Sequence, residues 1–340
     1  MSNDAPGPID RLQAAAQRFA RKNVEQTEGA EESVFPLRIA AVDVGSNAVR
    51  FLGAEFLQPQ RFAAIEQIRA PVRLGQSAFE GGRLDASALN AAVATLVSFR
   101  ERMDALGIVH YRAVATSAVR DSANGDELIV RARDEADLVL EVITSMEEAR
   151  LVHRAVRSRI DMGSSRWLLV DLGGGSVEVS VADARRIRRS VSHPVGAVRL
   201  LRELSVEGED VACFRRRLEE YLAPLVVPVR GGIRGFVATG GNAEALADLA
   251  GAAPDERGVS RLPLQRLRSL VDDLAVLTPA ERIAAYGLRE DRADVILPGA
   301  VVYERLCSRA GVDEILVPRV GVREGLVLDL AGELAEHAAH

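Results

Sequence analysis

A segment in the middle of the chain, Trp167–Asp183, combines acidic, hydroxyl and glycine residues in a pattern suited to phosphate chemistry. An apolar run ends at Asp171, the glycines Gly173–Gly175 and then Ser176 follow, and a second run alternates through Glu178. Glycine backbone amides can approach an anion closely, and acids beside them can hold a divalent cation. Two strands joined by an ordinary glycine turn would show the same pattern, so this segment alone supports both interpretations.

An earlier segment, Leu37–Glu55, repeats this pattern. An apolar run there leads to Asp43, which is followed by Gly45, Ser46 and Asn47 and then by a second apolar run. Similarity of this kind within one chain predicts a duplicated domain. Two such loops facing each other across a cleft would grip a phosphoanhydride from both sides.

The segment YRAVATSAVR ends a predicted strand with Thr116 and Ser117 and then presents Arg120. A capping hydroxyl and a surface arginine would explain these residues. An anion bound at the start of the helix, with Arg120 as its bidentate partner, would explain them equally well. The residues by themselves favour neither interpretation.

Two other segments begin helices with candidate functional groups. SMEEAR contains the adjacent acids Glu147 and Glu148, which either stabilise the first helical turn or supply a general base near the phosphate loops. VATGGNAEALA places Gly240 and Gly241 before a helix, either as a tight turn or as amides that contact a phosphate or nucleotide.

Length and composition exclude several classes of protein. The chain has 340 residues, enough for two domains, and its formal net charge of −6 argues against general binding to nucleic acid or membrane surfaces. Its single lysine, Lys22, lies outside any glycine loop, which excludes a P-loop. Cys213 and Cys307 fall in helical patterns and fit a reducing compartment. Because we find neither a signal peptide nor a membrane-spanning apolar run, we expect a cytoplasmic protein.

The predicted elements repeat as well. The first half reads βββαβαβα and the second half begins in the same way, which predicts an α/β protein of two lobes with a central crevice. The predicted strands are Leu37–Val44, Ala48–Phe56, Phe62–Ala70, Tyr111–Ala115, Leu138–Ile143, Trp167–Leu172, Val177–Ala182, Arg186–Ser192, Gly235–Thr239 and Glu314–Pro318. The predicted helices are Leu84–Leu106 with Asp85 as N-cap, Asn124–Glu135, Met146–Ile160, Ala197–Leu204, Asp210–Pro224, Ala243–Gly251, Pro263–Leu277, Ala280–Gly287, Asp291–Ala310 and Val322–Ala335. Residues 1–35 are expected to form a polar, disordered extension.

Eight motifs stand in the order found in the exopolyphosphatase/guanosine pentaphosphate phosphatase family, and the chain resembles the short, two-lobe members of that family across Leu37–Leu330. The motifs are DVGSN, VATSAVR, EEAR, DLGGGS-x-E, PVGAVRL, ATGGNAEAL, DRADVILPGA and VGVREGL. The resemblance implies the duplicated ribonuclease H-like fold of actin, the sugar kinases and the Hsp70 ATPase. The expected lobes are residues 36–152 and 153–321, with a C-terminal helix at 322–337 packing back on the first.

The resemblance also implies an activity and roles for the candidate residues. The activity is Mg²⁺- or Mn²⁺-dependent hydrolysis that releases terminal phosphate from polyphosphate or from pppGpp. The base would be Glu148, with Glu147 as the weaker candidate, and the acids that position the metal and water would be Asp43, Asp171 and Glu178. The residues that match phosphate-binding positions are Gly45, Ser46, Asn47, Arg120, Gly173, Gly174, Gly175 and Ser176, and we add Gly240 and Gly241 because of their place before a helix.

Several alternatives stay open. A pppGpp phosphatase with little polyphosphate activity would present the same residues, because both substrates end in the same anhydride. An ATP-dependent kinase of the same fold and a (p)ppGpp-sensing protein are weaker alternatives, and an intact Glu148 argues against pure sensing. The expected partners are polyphosphate or guanosine penta- or tetraphosphate, with a homodimer as a further option; we expect neither nucleic acid nor a membrane.

Overall fold

The computed structural model describes residues 35–58, 61–205, 210–225 and 232–338. The polar extension predicted for residues 1–35 therefore lies outside the described residues, apart from residue 35. The described chain forms two α/β lobes, and each lobe is built on one mixed sheet.

The first sheet has five strands in the order β3-β2-β1-β4-β5. β1, β2 and β3 form an antiparallel meander, whereas β1, β4 and β5 run parallel. The strands are β1 Leu37–Val44, β2 Val49–Gln58, β3 Arg61–Ala70, β4 His110–Ala115 and β5 Leu140–Val142. The helices of this part of the chain are α1 Gly75–Gly81, α2 Ala86–Ala105, α3 Ser117–Arg120, α4 Gly125–Ala136 and α5 Ser145–Arg157.

The second sheet has six strands in the order β10-β11-β9-β6-β7-β8. The strands are β6 Arg166–Leu172, β7 Val177–Ala182, β8 Ile187–His193, β9 Ile233–Thr239, β10 Ser260–Pro263 and β11 Glu314–Val317. The helices are α6 Ala197–Leu204, α7 Val211–Tyr221, α8 Gly241–Leu249, α9 Leu264–Leu274, α10 Pro279–Tyr286, α11 Glu290–Ala293, α12 Ile296–Ala310 and α13 Val322–His337.

The two sheets share one topology. β6, β7 and β8 repeat the antiparallel meander of β1, β2 and β3, while β9 and β11 take the parallel positions of β4 and β5. β10 extends the second sheet at its far edge, antiparallel to β11. This repeated order confirms the duplicated, two-lobe α/β architecture that the sequence predicts.

The central strands β1 and β6 are apolar in their middle parts because both of their faces are covered there. Ile39–Val42 and Leu168–Val170 are almost fully buried, as expected for strands in the middle of a two-sided sheet. Each apolar run is interrupted one residue before the strand ends, at Asp43 and at Asp171. An acid is therefore placed where each central strand leaves the core.

Helices α5 and α13 lie in a shared core that joins the two sheets. This core combines Ile39 of β1, Leu169 of β6, Val152 of α5 and Leu326 of α13. α13 packs against α5, β1, β2 and β4. The last helix of the chain thus returns to the first sheet, so the order of elements in space differs from their order in the sequence.

The structure corrects the prediction of one long helix at Asp291–Ala310. The chain forms two helices there, α11 and α12, separated at Asp294 and Val295. Pro298 in the first turn of α12 has no amide to donate to a carbonyl one turn earlier, which interrupts a continuous helix. The prediction also omitted α1, the single-turn α3 and the four-residue strand β10, each too short to show a periodic pattern.

The part of the chain that the structure describes contains no helix that is both long enough and apolar enough to cross a bilayer.

Candidate active site

One cleft brings the two glycine loops together. Asp43 at the end of β1 and Asp171 at the end of β6 both line it, because these strands hold equivalent places in the two lobes. The space within the cleft measures about 90 Å³, far below the roughly 300–1,000 Å³ of sites that surround a drug-sized ligand. This volume suits a terminal phosphate group and water.

Three carboxylates converge in this region. Glu148, Asp171 and Glu178 each contribute an oxygen to a group whose members all lie within 4.8 Å of one another. The three come from α5, β6 and β7, and their exposed fractions are 6%, 9% and 1%. Asp43 lines the same cleft but does not belong to this group of three.

Hydroxyl groups fix two of these acids. Thr239 Oγ1 donates to Asp171 Oδ1 at 2.6 Å, and both Ser176 Oγ and Ser192 Oγ donate to Glu178 Oε1 at 2.8 Å. The Oε2 atoms of Glu148 and Glu178 are buried and have no hydrogen-bond partner within the described residues. One lone-pair face of each carboxylate therefore stays free for a ligand.

Burial and mutual repulsion make these groups more basic than ordinary carboxylates. Burial, followed by the negative charges of Glu178 and Asp171, raises the pKa of Glu148 well above its ordinary value. Burial and the charge of Asp171 raise the pKa of Glu178 to about 7. Burial also raises the pKa values of Asp43 and Asp171. Buried carboxylates so close together call for a positive partner, and their free oxygens suit a hard divalent cation.

The two loops have equivalent turns and touch each other. Gly45 N donates to the Ala48 carbonyl at 3.1 Å, and Gly173 N donates to the Ser176 carbonyl at 3.0 Å. A Cβ atom on Gly174 would lie 2.7 Å from Ser46 Cβ, so the close approach of the loops requires glycine there.

Four backbone amides of these loops remain available to a ligand. These N–H groups donate no hydrogen bond within the described chain. They belong to Ser46, Asn47, Gly174 and Gly175. Such an arrangement of free amides is suited to an anion.

Neighbouring side chains position the first loop. Ser46 Oγ and Ser117 Oγ are 3.0 Å apart, and Asn47 Nδ2 donates to the Asp291 carbonyl at 2.9 Å. Ser117 begins the short helix α3, and Asp291 lies in α11 of the other lobe. The loop is therefore tied to both lobes.

Arg120 lies beside the acids and not among the groups that line the cleft. Its Nη1 atom donates to the Ile143 carbonyl at 2.8 Å and lies 3.9 Å from Glu148 Oε2. In this arrangement Arg120 orients and partly neutralises Glu148. Contact with a phosphate, as the sequence analysis suggests, would require the side chain to turn towards the cleft.

The adjacent acids of the SMEEAR segment face different surroundings. Thr144 caps α5 by accepting from Glu147 N, and the Glu147 side chain accepts from Arg150 Nε at 2.7 Å on the outer side of the helix. Glu148, one residue later, turns into the acid group. Only the second acid is thus placed to meet a ligand in the cleft.

The glycines that precede α8 also reach the cleft. Gly240 has a φ of 96°, and a Cβ atom there would lie 2.6 Å from the Leu172 carbonyl oxygen. Gly241 lies against the guanidinium groups of Arg50 and Arg292. Both glycines line the cleft beside Asp171.

Three arginines of the cleft were not assigned a role from the sequence. Arg50, Arg292 and Arg323 line it. Arg50 pairs in register with Asp43 across β1 and β2. Because the two strands form a hairpin, the number of residues between Asp43 and Arg50 could have identified Arg50 as a neighbour of the first acid. Arg292 and Arg323 lie in two motifs that carry the resemblance, DRADVILPGA and VGVREGL, but no spacing connects them to the loops.

The fold is a duplicated α/β fold, and its cleft contains opposed amide loops, arginines and buried acids. These are the groups that an enzyme acting on phosphoanhydrides requires. Comparison with known proteins supports this class. Residues 57–334 match the model of the Ppx/GppA phosphatase family. Exopolyphosphatase 1 of Mycobacterium tuberculosis is 31% identical over 301 residues, covering 86% of this chain and 88% of that protein. Exopolyphosphatase 2 of the same organism is 31% identical over 318 residues, covering 87% and 99%.

Solved structures agree with the sequence relatives. An exopolyphosphatase from Cytophaga hutchinsonii superposes with a TM-score of 0.80 at 26% identity, covering 87% of this chain and 98% of that one. The Aquifex aeolicus member of the Ppx/GppA family gives a TM-score of 0.72 at 26% identity, with the same coverage. The chain belongs to the Ppx/GppA phosphatase family and is a hydrolase of phosphoanhydrides.

Proposed function

We propose that this protein is an exopolyphosphatase that removes the terminal phosphate of inorganic polyphosphate by attack of water. The observation that carries the proposal is the convergence of Glu148, Asp171 and Glu178 within 4.8 Å. Glu148 and Asp171 line the cleft that the glycine loops of both lobes also line. The names of the Mycobacterium and Cytophaga relatives support polyphosphate as the substrate.

Different groups in the cleft would carry out different parts of the hydrolysis. The free amides of the two loops would hold the oxygens of the terminal phosphate, and positioning of this kind supplies most of the catalysis in phosphoryl transfer. Attack by water forms a new bond to the terminal phosphorus while the anhydride bond to the next phosphate breaks. The products are orthophosphate and a polyphosphate one unit shorter.

Glu148 is placed to act as the general base. Its Oε2 atom is buried and has no hydrogen-bond partner within the described residues, so it can accept the proton of the attacking water. The raised pKa makes Glu148 a stronger base than an ordinary glutamate. Arg120, 3.9 Å away, restrains the carboxylate and limits how far its pKa rises.

Asp171 and Glu178, with Asp43 from the opposite lobe, would hold Mg²⁺ or Mn²⁺. Their oxygen chemistry suits either ion, and the free Oε2 of Glu178 fits a metal ligand. When bound, the cation would neutralise phosphate oxygens as charge develops. Thr239, Ser176 and Ser192 keep Asp171 and Glu178 in place through the hydrogen bonds described above.

Phosphate release from polyphosphate, pppGpp and ATP, each measured with Mg²⁺ and with excess EDTA, tests this proposal. We expect polyphosphate to be the best substrate and EDTA to abolish release. Release from pppGpp alone would favour the guanosine pentaphosphate phosphatase alternative. Full activity in EDTA would contradict the metal assignment, and no release from polyphosphate or pppGpp would contradict the function.

A further inference from the structure

The motif PVGAVRL places the start of α6 directly against the second glycine loop. Ala197 N donates to the Gly173 carbonyl at 3.1 Å. Val198 N and Arg199 N both donate to the Gly174 carbonyl, at 2.9 and 3.0 Å. The first turn of the helix therefore binds the loop from its carbonyl side.

The side chain of Arg199 continues this contact. Its Nε atom donates to the Gly175 carbonyl at 2.9 Å, so that one helix binds three successive carbonyls of the loop. In a planar trans peptide, the carbonyl and the N–H group of the next residue point in opposite directions. The bound carbonyls therefore fix the N–H groups of Gly174, Gly175 and Ser176 on the side of the loop away from α6.

The guanidinium group of Arg199 is held by the first lobe. Its Nη2 atom donates to Asp121 Oδ2 at 2.8 Å, and its Cζ atom lies 4.2 Å from the centre of the Phe79 ring. Asp121 follows α3 and Phe79 lies in α1. Because the Arg199 side chain is only 16% exposed, these contacts are partly shielded from water, which strengthens them. One side chain thus joins the second loop to two elements of the opposite lobe.

Close packing accompanies these hydrogen bonds. A Cβ atom on Gly175 would lie 2.3 Å from Phe79 Cζ and 2.4 Å from Ser117 Oγ. A Cβ atom on Gly196, the residue before α6, would lie 2.4 Å from the Gly174 carbonyl oxygen. Glycine at these two positions allows the loop to lie in direct contact with α6 on one side and with the first lobe on the other.

We propose that Arg199 is a positioning residue for hydrolysis, which holds the amides of the second glycine loop in place for the terminal phosphate while the two lobes are in contact. The inference rests on the proposed function, because that function gives the loop amides their role. Without Asp121 and Phe79, the guanidinium group would be free to turn away from the Gly175 carbonyl. Donors that stabilise developing charge lose much of their effect when they are displaced even slightly.

The first variant is Arg199→Met, which removes the charge and the donors but keeps an unbranched side chain that can cover Phe79. We expect kcat for polyphosphate to fall about 10–100-fold. KM should change less than about 3-fold, because the first glycine loop is unaffected. Arg199→Lys should restore part of kcat, since its ammonium keeps the charge and a donor but cannot contact Gly175 and Asp121 together.

Arg202→Met is the matched control on the same helix. Arg202 lies one turn after Arg199 and approaches Glu80 of α1 at 4.0 Å, but within the described residues it has no hydrogen bond to the glycine loop. This variant should keep the wild-type kcat. An equal loss of kcat in the two Met variants would show that Arg199 only holds the lobes together, and would overturn the positioning role.

A double-mutant cycle with Asp121→Ala tests the dependence on the first lobe. We expect this substitution alone to lower kcat about 2–5-fold, as is typical of a partly exposed ion pair. Asp121 also lies 3.6 Å from Arg120 Nε, which is a second route to Glu148. If Asp121 acts through Arg199, the double variant should have the same kcat as Arg199→Met. Losses that multiply would overturn the role of the first lobe in the proposal.

Hydrogen–deuterium exchange of residues 171–178 gives a measure that does not depend on activity. Exchange there should be faster in Arg199→Met than in wild type or Arg202→Met, with melting temperatures measured alongside. Unchanged exchange or unchanged kcat in folded Arg199→Met would overturn the inference, and Arg199→Lys replaces that variant in both measurements if it does not fold. If wild type releases phosphate from neither polyphosphate nor pppGpp, the proposed function fails, whereas the exchange rates still decide whether Arg199 holds the loop.

Discussion

At the scale of single residues, two adjacent glutamates at the start of α5 turn in different directions. Glu147 accepts from Arg150 on the outer side of α5, whereas Glu148 lies within the acid group with a free carboxylate oxygen. Thr144 fixes the start of the helix by accepting from Glu147 N. Because successive helical residues differ by about 100° in direction, this cap decides which acid meets the cleft.

We expect Glu148→Gln to lower kcat by about 10²–10⁴-fold, the usual contribution of a general base. The amide has nearly the same shape, so the fold and the binding of a non-hydrolysable polyphosphate analogue should be retained. Steady-state phosphate release, with analogue binding by calorimetry, measures both quantities.

Glu147→Gln is the matched control for that experiment. It removes a negative charge from the neighbouring position without entering the acid group, and it should retain most of the wild-type kcat. An active Glu148→Gln protein together with an inactive Glu147→Gln protein would transfer the role to Glu147.

At the scale of elements, two strand–loop–strand units are brought into contact by their glycines. Gly174 lies against Ser46, and the amides of α6 bind the carbonyls of the glycine loop, with Val198 N donating to the Gly174 carbonyl at 2.9 Å. The loop is thus held on one side by a helix of its own lobe and on the other side by the first loop. The amides of Gly174 and Gly175 take no part in hydrogen bonds within the described chain.

We expect Gly174→Ala to weaken binding of the polyphosphate analogue by at least about 10-fold. The added Cβ would lie 2.7 Å from Ser46 Cβ and 3.1 Å from Val198 Cγ2, so the two loops would have to separate. Gly173→Ala provides the comparison within the same loop, because its Cβ would meet only the Ser176 carbonyl oxygen at 3.4 Å. Equal affinities of the two variants would show that loop contact does not matter for binding.

At the scale of the whole molecule, α13 ties the C-terminal end of the chain to the first lobe. Asp329 of α13 is buried among Arg112, Arg150 and Arg154. Arg112 lies on β4 and the other two arginines lie on α5. This ion-pair group sits at the edge of the core shared by the two sheets, where it fixes the helix that closes the fold.

Asp329→Asn should lower the free energy of unfolding by about 1.5–3 kcal/mol at neutral pH, the typical value of hydrogen bonds to a charged group. Burial alone would raise the pKa of Asp329, but the hydrogen bonds from Arg150 and the charges of the three arginines outweigh it, and the pKa is lowered. The ionised carboxylate therefore stabilises the fold above the unfolded pKa of about 3.9, and this contribution is lost as pH falls through the lower folded pKa.

Urea unfolding of wild type and Asp329→Asn between pH 3 and pH 8 checks this dependence. The difference between the two should be constant above about pH 5 and should narrow below about pH 4. Asp134→Asn, an exposed substitution on α4, should change stability by less than about 0.5 kcal/mol. A difference that persists unchanged at the lowest pH would show that the carboxylate charge is not its cause.

The local pattern of the sequence determined most of the fold. The repeat of apolar strand, acid and glycine loop at Asp43 and Asp171 predicted the duplication, and the strands of both meanders lie within two residues of their predicted limits. These features can be predicted from the sequence because they arise from contacts between neighbours along the chain. The same pattern marked Glu178 as a candidate, since it follows the second glycine loop. At the start of α5 the residues left Glu147 and Glu148 as alternatives, and the family resemblance selected Glu148.

Only the tertiary structure decided which of these groups meet. It brings Glu148 to Asp171 and Glu178, leaves Asp43 outside that group, and turns Arg120 towards Glu148 and away from the cleft. It also gathers five arginines along one pocket beside the cleft, from β2, β3, α11, α13 and the chain before α11. These are Arg50, Arg69, Arg292, Arg323 and Arg289. Apart from Arg50, which lies opposite Asp43 on a hairpin, no spacing in the sequence connects these arginines to the loops. Their common position follows from the packing of α13 and the second lobe against the first sheet, which no local pattern records.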